Sequence, residues 1–269
     1  MADPEHLVLT FDGVIKKTPF VQLMKTMLQR LENVYHFPVD IEFTADIITD
    51  AKQPSVRVKL LQCRPQSQYA PNTKITLPTN IPDSDKIFSS DRLVPSGAVS
   101  HIRYIVYVSP EKYITADPTV KLELARVIGR INKCLEGQTF ILMGPGRWGS
   151  TNPDLGVHIT YADINNTRVL VEIALPRGEG IPEVSYGTHF FQDLVEARIY
   201  PLPLFPAQPG TLFNRAFFQN SPNVLARLSP QDAFYAEFVQ VIDVPAVSIG
   251  RHMELVMDED KSFALAYLQ

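Results

Sequence analysis

The chain has 269 residues, 45% of them hydrophobic and 20% charged, with a formal net charge of −4. That length can bury a full core as one large or two small domains, and the acidic balance lacks the basic footprint that a nucleic-acid partner requires. No apolar run approaches the roughly 18 residues of a membrane span, and the first residues lack the basic and apolar regions of a signal peptide. Cys63 and Cys134, expected in apolar surroundings, suit a reduced, cytoplasmic interior.

In chain order, His6–Phe11 reads as a short strand and Asp12-Gly13 as a turn. Thr18 and Pro19 read as the N-cap and first position of a helix running to about Tyr35. Phe20, Leu23, Met24, Met27, Leu28, Leu31 and Val34 form one apolar stripe at helical spacing, expected to be core. Val39–Ile48 and Val56–Arg64 then read as two strands, joined by a turn supplied by Asp50, Lys52, Gln53 and Pro54. Alternate side chains of a strand share a face. Asp40 and Glu42 therefore stand together, with Val39, Ile41 and Phe43 on the other side. On the return strand Gln62 and Arg64 stand together, opposite Leu61 and Cys63. If the two polar faces coincide, two carboxylates, an amide oxygen and a guanidinium converge. Such a set suits a divalent metal with a polyphosphate, because hard cations take oxygen ligands and Arg grips phosphate with a planar fork. The other reading is a solvated polar face with a surface ion pair.

The strings DIEF (40–43) and LLQCRP (60–65) resemble the last strands of the nucleotide-binding ATP-grasp domain in the phosphoenolpyruvate synthase and pyruvate phosphate dikinase family. The resemblance implies Mg²⁺ and ATP as cofactors. It places Glu42 and Gln62 at the metal–ATP site, Arg64 on the phosphates and Asp40 beside the site. The chain departs from the family in lacking the first ATP-grasp half with its basic residues. It also lacks a TxHAA-type phosphohistidine segment and a recognisable pyruvate-binding barrel.

Beyond the hairpin, Pro71, Pro78, Pro82 and Pro95 space out an irregular stretch expected to be a linker. Val99–Val108 reads as one strong strand. Pro118–Leu135 reads as a helix with Val120, Leu124, Val127, Ile128 and Ile131 on one face, capped by Gly137. Thr139–Met143 reads as a buried strand running into GPGRWG (144–149). Its glycines allow backbone amides to converge on an anion, Arg147 could add a charged fork, and Trp148 a stacking face. The loop is not a P-loop, since the Gly-Lys-Ser ending is missing. The plainer reading is a glycine-rich corner with a buried Trp.

Arg168–Leu175 reads as a central strand interrupted by Glu172. A buried carboxylate needs a partner, and Arg147 is the candidate. Thr188 is expected to cap a helix over His189–Glu196, on which His189 and Asp193 share a face. That pair suits metal binding or proton transfer, or else a local bond that orients the His. The remainder reads as architecture: a proline-limited edge strand at Arg198–Pro206, a short helix over Ser221–Leu228 with Ser221 as its N-cap and Pro222 in its first turn, a strand at Phe238–Val244, and a closing hairpin of Met253–Met257 and Ser262–Leu268. GPGRWGSTNPDLGV and SYGTHFFQDL also resemble a C-terminal region that follows the ATP-grasp portion in some bacterial proteins of the same family, with no activity implied.

Together these readings give an α+β chain. Residues 1–68 form the end of an ATP-grasp-like half-domain, 69–97 a linker, and 98–269 a mixed α/β domain with a largely antiparallel sheet. The function expected is part of an ATP-dependent phosphotransferase, with Arg64 and His189 as catalytic candidates. Cofactor contacts fall to Asp40, Glu42, Gln62, Arg64, Arg147 and Trp148, and metal contacts to Glu42 and Gln62. Arg147, Trp148 and His189, supported by Glu172 and Asp193, are expected to line one anion pocket. The alternative function is a non-catalytic module binding an anionic small molecule at GPGRWG. The expected partners are a nucleotide, a small anionic substrate and an upstream ATP-grasp half. A homodimer stays open, and neither nucleic acid nor membrane is expected.

Overall fold

The computed structural model describes residues 10–36, 38–48, 54–65, 75–174, 184–185 and 188–269. The chain divides into two compact units, Met1–Gln68 and Tyr69–Gln269. The architecture is mixed α and β, with antiparallel and mixed sheets.

In the N-terminal unit, helix α1 (Asp12–Lys17) starts where a turn was expected, and its ends are tied by an Asp12–Lys16 ion pair. Helix α2 (Phe20–Tyr35) follows, then strands β1 (Val39–Ile48) and β2 (Ser55–Pro65), paired antiparallel. The reading of His6–Phe11 as a strand falls mostly outside the described residues, as does most of the turn between β1 and β2. Thr18 sits one residue before the N-cap position, yet its hydroxyl still accepts from the Phe20 amide at 3.2 Å. His36, in the left-handed region at φ 59°, ends the helix. The apolar stripe of α2 faces the hairpin, with the Phe20 ring 6.0 Å from Phe43. No residue of α2 is fully buried, however, and Leu23 and Val34 are exposed. Two helices on one hairpin have too little surface to enclose a helix face, so among the described residues the expected core stripe is only half covered.

The C-terminal unit opens with β3 (Lys86–Ser90), inside the stretch expected as linker; Ile87 and Phe88 there are fully buried. Next come β4 (Gly97–Ile102), β5 (Tyr104–Val108), helices α3 (Pro110–Thr115) and α4 (Pro118–Cys134), and β6 (Phe140–Pro145). They are followed by β7 (Val169–Ile173), α5 (His189–Glu196), β8 (Tyr200–Leu204), α6 (Arg215–Asn220), α7 (Leu225–Leu228) and β9 (Val239–Asp243). Helix α8 (Val244–Val247), β10 (Met253–Asp258) and β11 (Phe263–Leu268) close the unit.

The single strand expected over Val99–Val108 is two strands in two sheets. His101, at φ 56°, and Arg103 break it, so that β4 joins an antiparallel sheet of order β3-β11-β10-β4. β5 joins a second sheet of order β8-β7-β6-β5-β9, in which β5 to β8 run parallel and only β9 runs antiparallel. The largely antiparallel sheet expected for this region is therefore corrected to one antiparallel and one mostly parallel sheet.

The mixed sheet lies between two layers. Ile105, Tyr107, Met143, Val171 and Leu204 belong to the core shared with the antiparallel sheet. Val106, Val108, Leu142 and Leu170 belong to the core shared with the helices. A strand covered on both faces has no polar side, which is why β5 reads YIVYV without alternation. α4 supplies Leu124, Val127, Ile128 and Ile131 to the helix-side core, as its periodicity implied. β8 is an edge strand, as its prolines require. Cys134 is exposed at the end of α4, contrary to its expected apolar setting, and both cysteines are free.

Candidate functional site

The polar face of the hairpin forms as its alternation implied. Asp40 pairs across the strands with Arg64, and Glu42 with Gln62. Directly opposed residues of an antiparallel pair share a face, so all four lie on one side of the hairpin. The register shifts just after Glu42, where Phe43 pairs with Leu60. Leu61 is thus the extra residue of a bulge and is 64% exposed, instead of pairing with the Cys63 side. Asp40, Gln62 and Arg64 are half-buried and Glu42 is exposed. With its amide oxygen turned toward the guanidinium, Gln62 accepts a bond from Arg64 Nη2 at 2.7 Å, which holds Arg64 in place on the strand.

Among the described residues, no three His, Cys, Asp or Glu side chains are grouped to hold a metal ion. The hairpin offers instead the Glu42 carboxylate and the Gln62 carbonyl. These are hard oxygen donors of the kind that Mg²⁺ takes one or two at a time, alongside water and phosphate oxygens.

The GPGRWG stretch has a different character. Its backbone amides, expected to converge on an anion, are committed within the chain. Gly146 N donates to Ile173 O at 2.8 Å, Arg147 N to Leu155 O at 2.8 Å, and Gly149 N to Val157 O at 3.4 Å. Trp148 N donates to Glu172 Oε1 at 2.9 Å. Gly146, at φ 71°, is required twice over, because a Cβ there would land on the Leu155 carbonyl oxygen. Trp148 is 1% exposed and belongs to the helix-side core, so its ring offers no face to a ligand, contrary to the stacking role expected of it. Its Nε1 is buried without a hydrogen-bond partner among the described residues.

Glu172 is the centre of this corner. It shares the helix-side face of β7 with Leu170 and is 6% exposed. Ser185 binds it twice: the backbone N donates to Oε2 and the hydroxyl to Oε1, each at 2.6 Å. Burial pushes its pKa up to about 7, against the bonds from Ser185 and Trp148 and the charge of Arg147. Arg147, expected as the main partner, is the last of these influences.

The proton count explains why a raised pKa fits. Ser185 Oγ has one proton but two acceptors in reach, Glu172 Oε1 and Trp148 O at 2.8 Å. With a proton on Glu172, the carboxyl donates to Ser185 Oγ, which then donates to Trp148 O. Ser185 was missed by sequence reasoning, and nothing in the string SYG distinguishes it.

β6 and β7 are neighbouring parallel strands, so the stretches that follow them meet, as expected for one sheet edge. Thr188 caps α5, accepting from Phe191 N at 3.3 Å. A Cβ on Gly149 would enter the Phe190 ring, so the two stretches touch there. What they enclose is packed. Trp148, Phe190 and Leu194 fill the junction, Arg147 is half-buried at its side, and His189 and Asp193 are both exposed on α5. Among the described residues, no helix is long and apolar enough to cross a membrane. No family model, curated protein or solved structure matches the chain.

Proposed function

We propose that the hairpin Val39–Pro65 supplies one wall of a Mg²⁺–nucleotide site in an ATP-dependent phosphoryl-transfer protein of the phosphoenolpyruvate synthase type. The observation that carries this reading is the register, which sets Asp40 across from Arg64 and Glu42 across from Gln62 on one face. Phosphoryl transfer asks a protein for positioning and charge neutralisation more than for covalent help. Glu42 and Gln62 would hold Mg²⁺ through oxygen. Arg64, released as the Gln62 carbonyl turns to the metal, would take phosphate oxygens, and Asp40 would orient it from across the strand. The proposal rests on the N-terminal unit and assigns no step to His189.

The test is a calorimetric titration of Mg·ATP into this chain and into the chain extended by any in-frame upstream sequence. One wall leaves the nucleotide solvated, where charge contacts are weak. The expected result is weak binding to the chain alone and tight binding to the extended protein, lost in Glu42→Gln and Arg64→Ala. Mg²⁺-independent binding, or low-micromolar binding to the chain alone that survives Arg64→Ala, would overturn the proposal.

The GPGRWG loop has its Gly146, Arg147, Trp148 and Gly149 amides bonded within the chain and does not present them to an anion.

A further inference from the structure

We propose that the C-terminal unit holds a second, separate ligand site, a groove at the carboxyl edge of the mixed sheet whose ligand is an aromatic zwitterion of the amino-acid class. The aromatic wall of the site lies on the opposite face of the sheet from the GPGRWG corner. Tyr107 near the end of β5 and Ile173 at the end of β7 both belong to the core shared with the antiparallel sheet, whereas Trp148 belongs to the helix-side core. Crevices outside the carboxyl ends of parallel strands are where open α/β sheets take ligands.

Two chambers open there, of about 500 and 230 Å³, and both are lined by Tyr107, Glu111, Phe213 and Arg215. That volume suits a single small molecule. One wall is aromatic. Phe213 stacks on Phe218 with centroids 4.9 Å apart, and Tyr107 lies 4.7 Å from Phe218. Phe213 is half-buried and Tyr107 lines both chambers, so an incoming ring meets aromatic edges, the contact that an edge-to-face pair uses. Burial raises the Tyr107 pKa, with Glu111 adding to the rise and Arg215 opposing it. The phenol therefore stays neutral and able to donate.

Charge selects among ring compounds. The lining carries two cations and two carboxylates, matched as Arg215–Glu111 at 3.1 Å and Lys112–Glu237 at 3.8 Å. All four side chains are more than half exposed, and exposed pairs of this kind contribute little and open easily. A lone anion would meet Arg215 but crowd Glu111 and Glu237. A lone cation would do the reverse. A zwitterion can place its carboxylate on Arg215 and its ammonium on Glu111, replacing the pair without leaving either charge unmatched. Two of the amides nearby do not compete. Asn223 Nδ2 is bonded to Ala236 O and Val239 O, and Gln240 Nε2 to Ser221 O. Those two are frame, which leaves recognition to the charges, the rings and the exposed Gln219. Arg215 is held ready, its guanidinium 5.7 Å above the Phe213 ring.

Three probes that share one ring test the proposal on the full chain: L-phenylalanine, 3-phenylpropionate and 2-phenylethylamine, each followed by amide chemical shifts. L-Phenylalanine should shift groove residues and bind about threefold tighter than either singly charged probe, the effect of one lost exposed ion pair. Arg215→Gln should erase its advantage over phenylethylamine, and Glu111→Gln its advantage over phenylpropionate, with the melting temperature unchanged in both. No shifts in the groove at millimolar phenylalanine would overturn the proposal, as would phenylpropionate binding as tightly as phenylalanine. Neither outcome bears on the nucleotide wall, which lies in the other unit.

Discussion

The hairpin of the N-terminal unit and the GPGRWG corner of the C-terminal unit both set a carboxylate on a strand near an arginine, and the two folds use it in opposite ways. Glu42 stands exposed on a face that only one hairpin supports. Glu172 lies under a helix layer, receives bonds from Ser185 and Trp148, and is pushed toward neutrality. A sheet covered on both faces must satisfy its polar groups internally or lose several kcal/mol apiece. A hairpin with one face open can leave its polar groups at the surface, where water satisfies what the chain does not. An unusual string such as GPGRWG can therefore mark a demanding corner as readily as a binding loop.

The largest test of this contrast is Glu172→Ala. It strands the amides of Trp148 and Ser185 in a buried setting, so the expected loss is about 3–5 kcal/mol, read as a fall in melting temperature of roughly 6–20 °C for a unit of this size. A loss below about 0.5 kcal/mol, the figure for a surface change, would make the two carboxylates alike and end the comparison.

Close behind comes the pH profile. The folded protein holds the Glu172 proton with a pKa of about 7, against 4.5 for an unperturbed Glu. The folded state thus binds the proton more tightly than the unfolded chain. Its contribution is full below about pH 4.5 and is lost as pH rises through 7, on the order of 3 kcal/mol across that window. Denaturant titrations at several pH values should show this decline in the wild type. Glu172→Gln, which cannot titrate, should lack it, and an equal slope in both proteins would assign the pH dependence elsewhere.

A smaller effect separates packing from bonding at Trp148. Because Nε1 is buried without a partner among the described residues, Trp148→Phe removes an unsatisfied donor along with one ring. It should cost about 1–2 kcal/mol, against about 3–5 for Trp148→Ala. If the two cost the same, the indole nitrogen has a bond that matters. The smallest effects belong to the hairpin. Glu42→Gln and Arg64→Ala should each change stability by less than about 0.5 kcal/mol while removing nucleotide binding from the extended protein. A large fall in melting temperature would mark this face as structural.

Much of the local structure was legible in the residue order. The stripe of α4, the Thr188 cap of α5, the edge position of β8 and the shared face of Asp40, Glu42, Gln62 and Arg64 all follow from a period, a cap or a proline. These are short-range effects, decided by side-chain direction and backbone donors within a few residues. What tertiary structure decided lies farther apart in the chain. Val99–Val108 has unbroken strand character, yet β4 must pair with β10 and β5 with β6, so the chain turns at His101 and changes sheet. The proline-spaced stretch supplies β3 because β11 needed an edge partner. Trp148 became core and Ser185 became the partner of Glu172 because β6 and β7 came to lie side by side. Which strands become neighbours depends on burying both faces of a sheet at once, a condition that no local window of sequence contains.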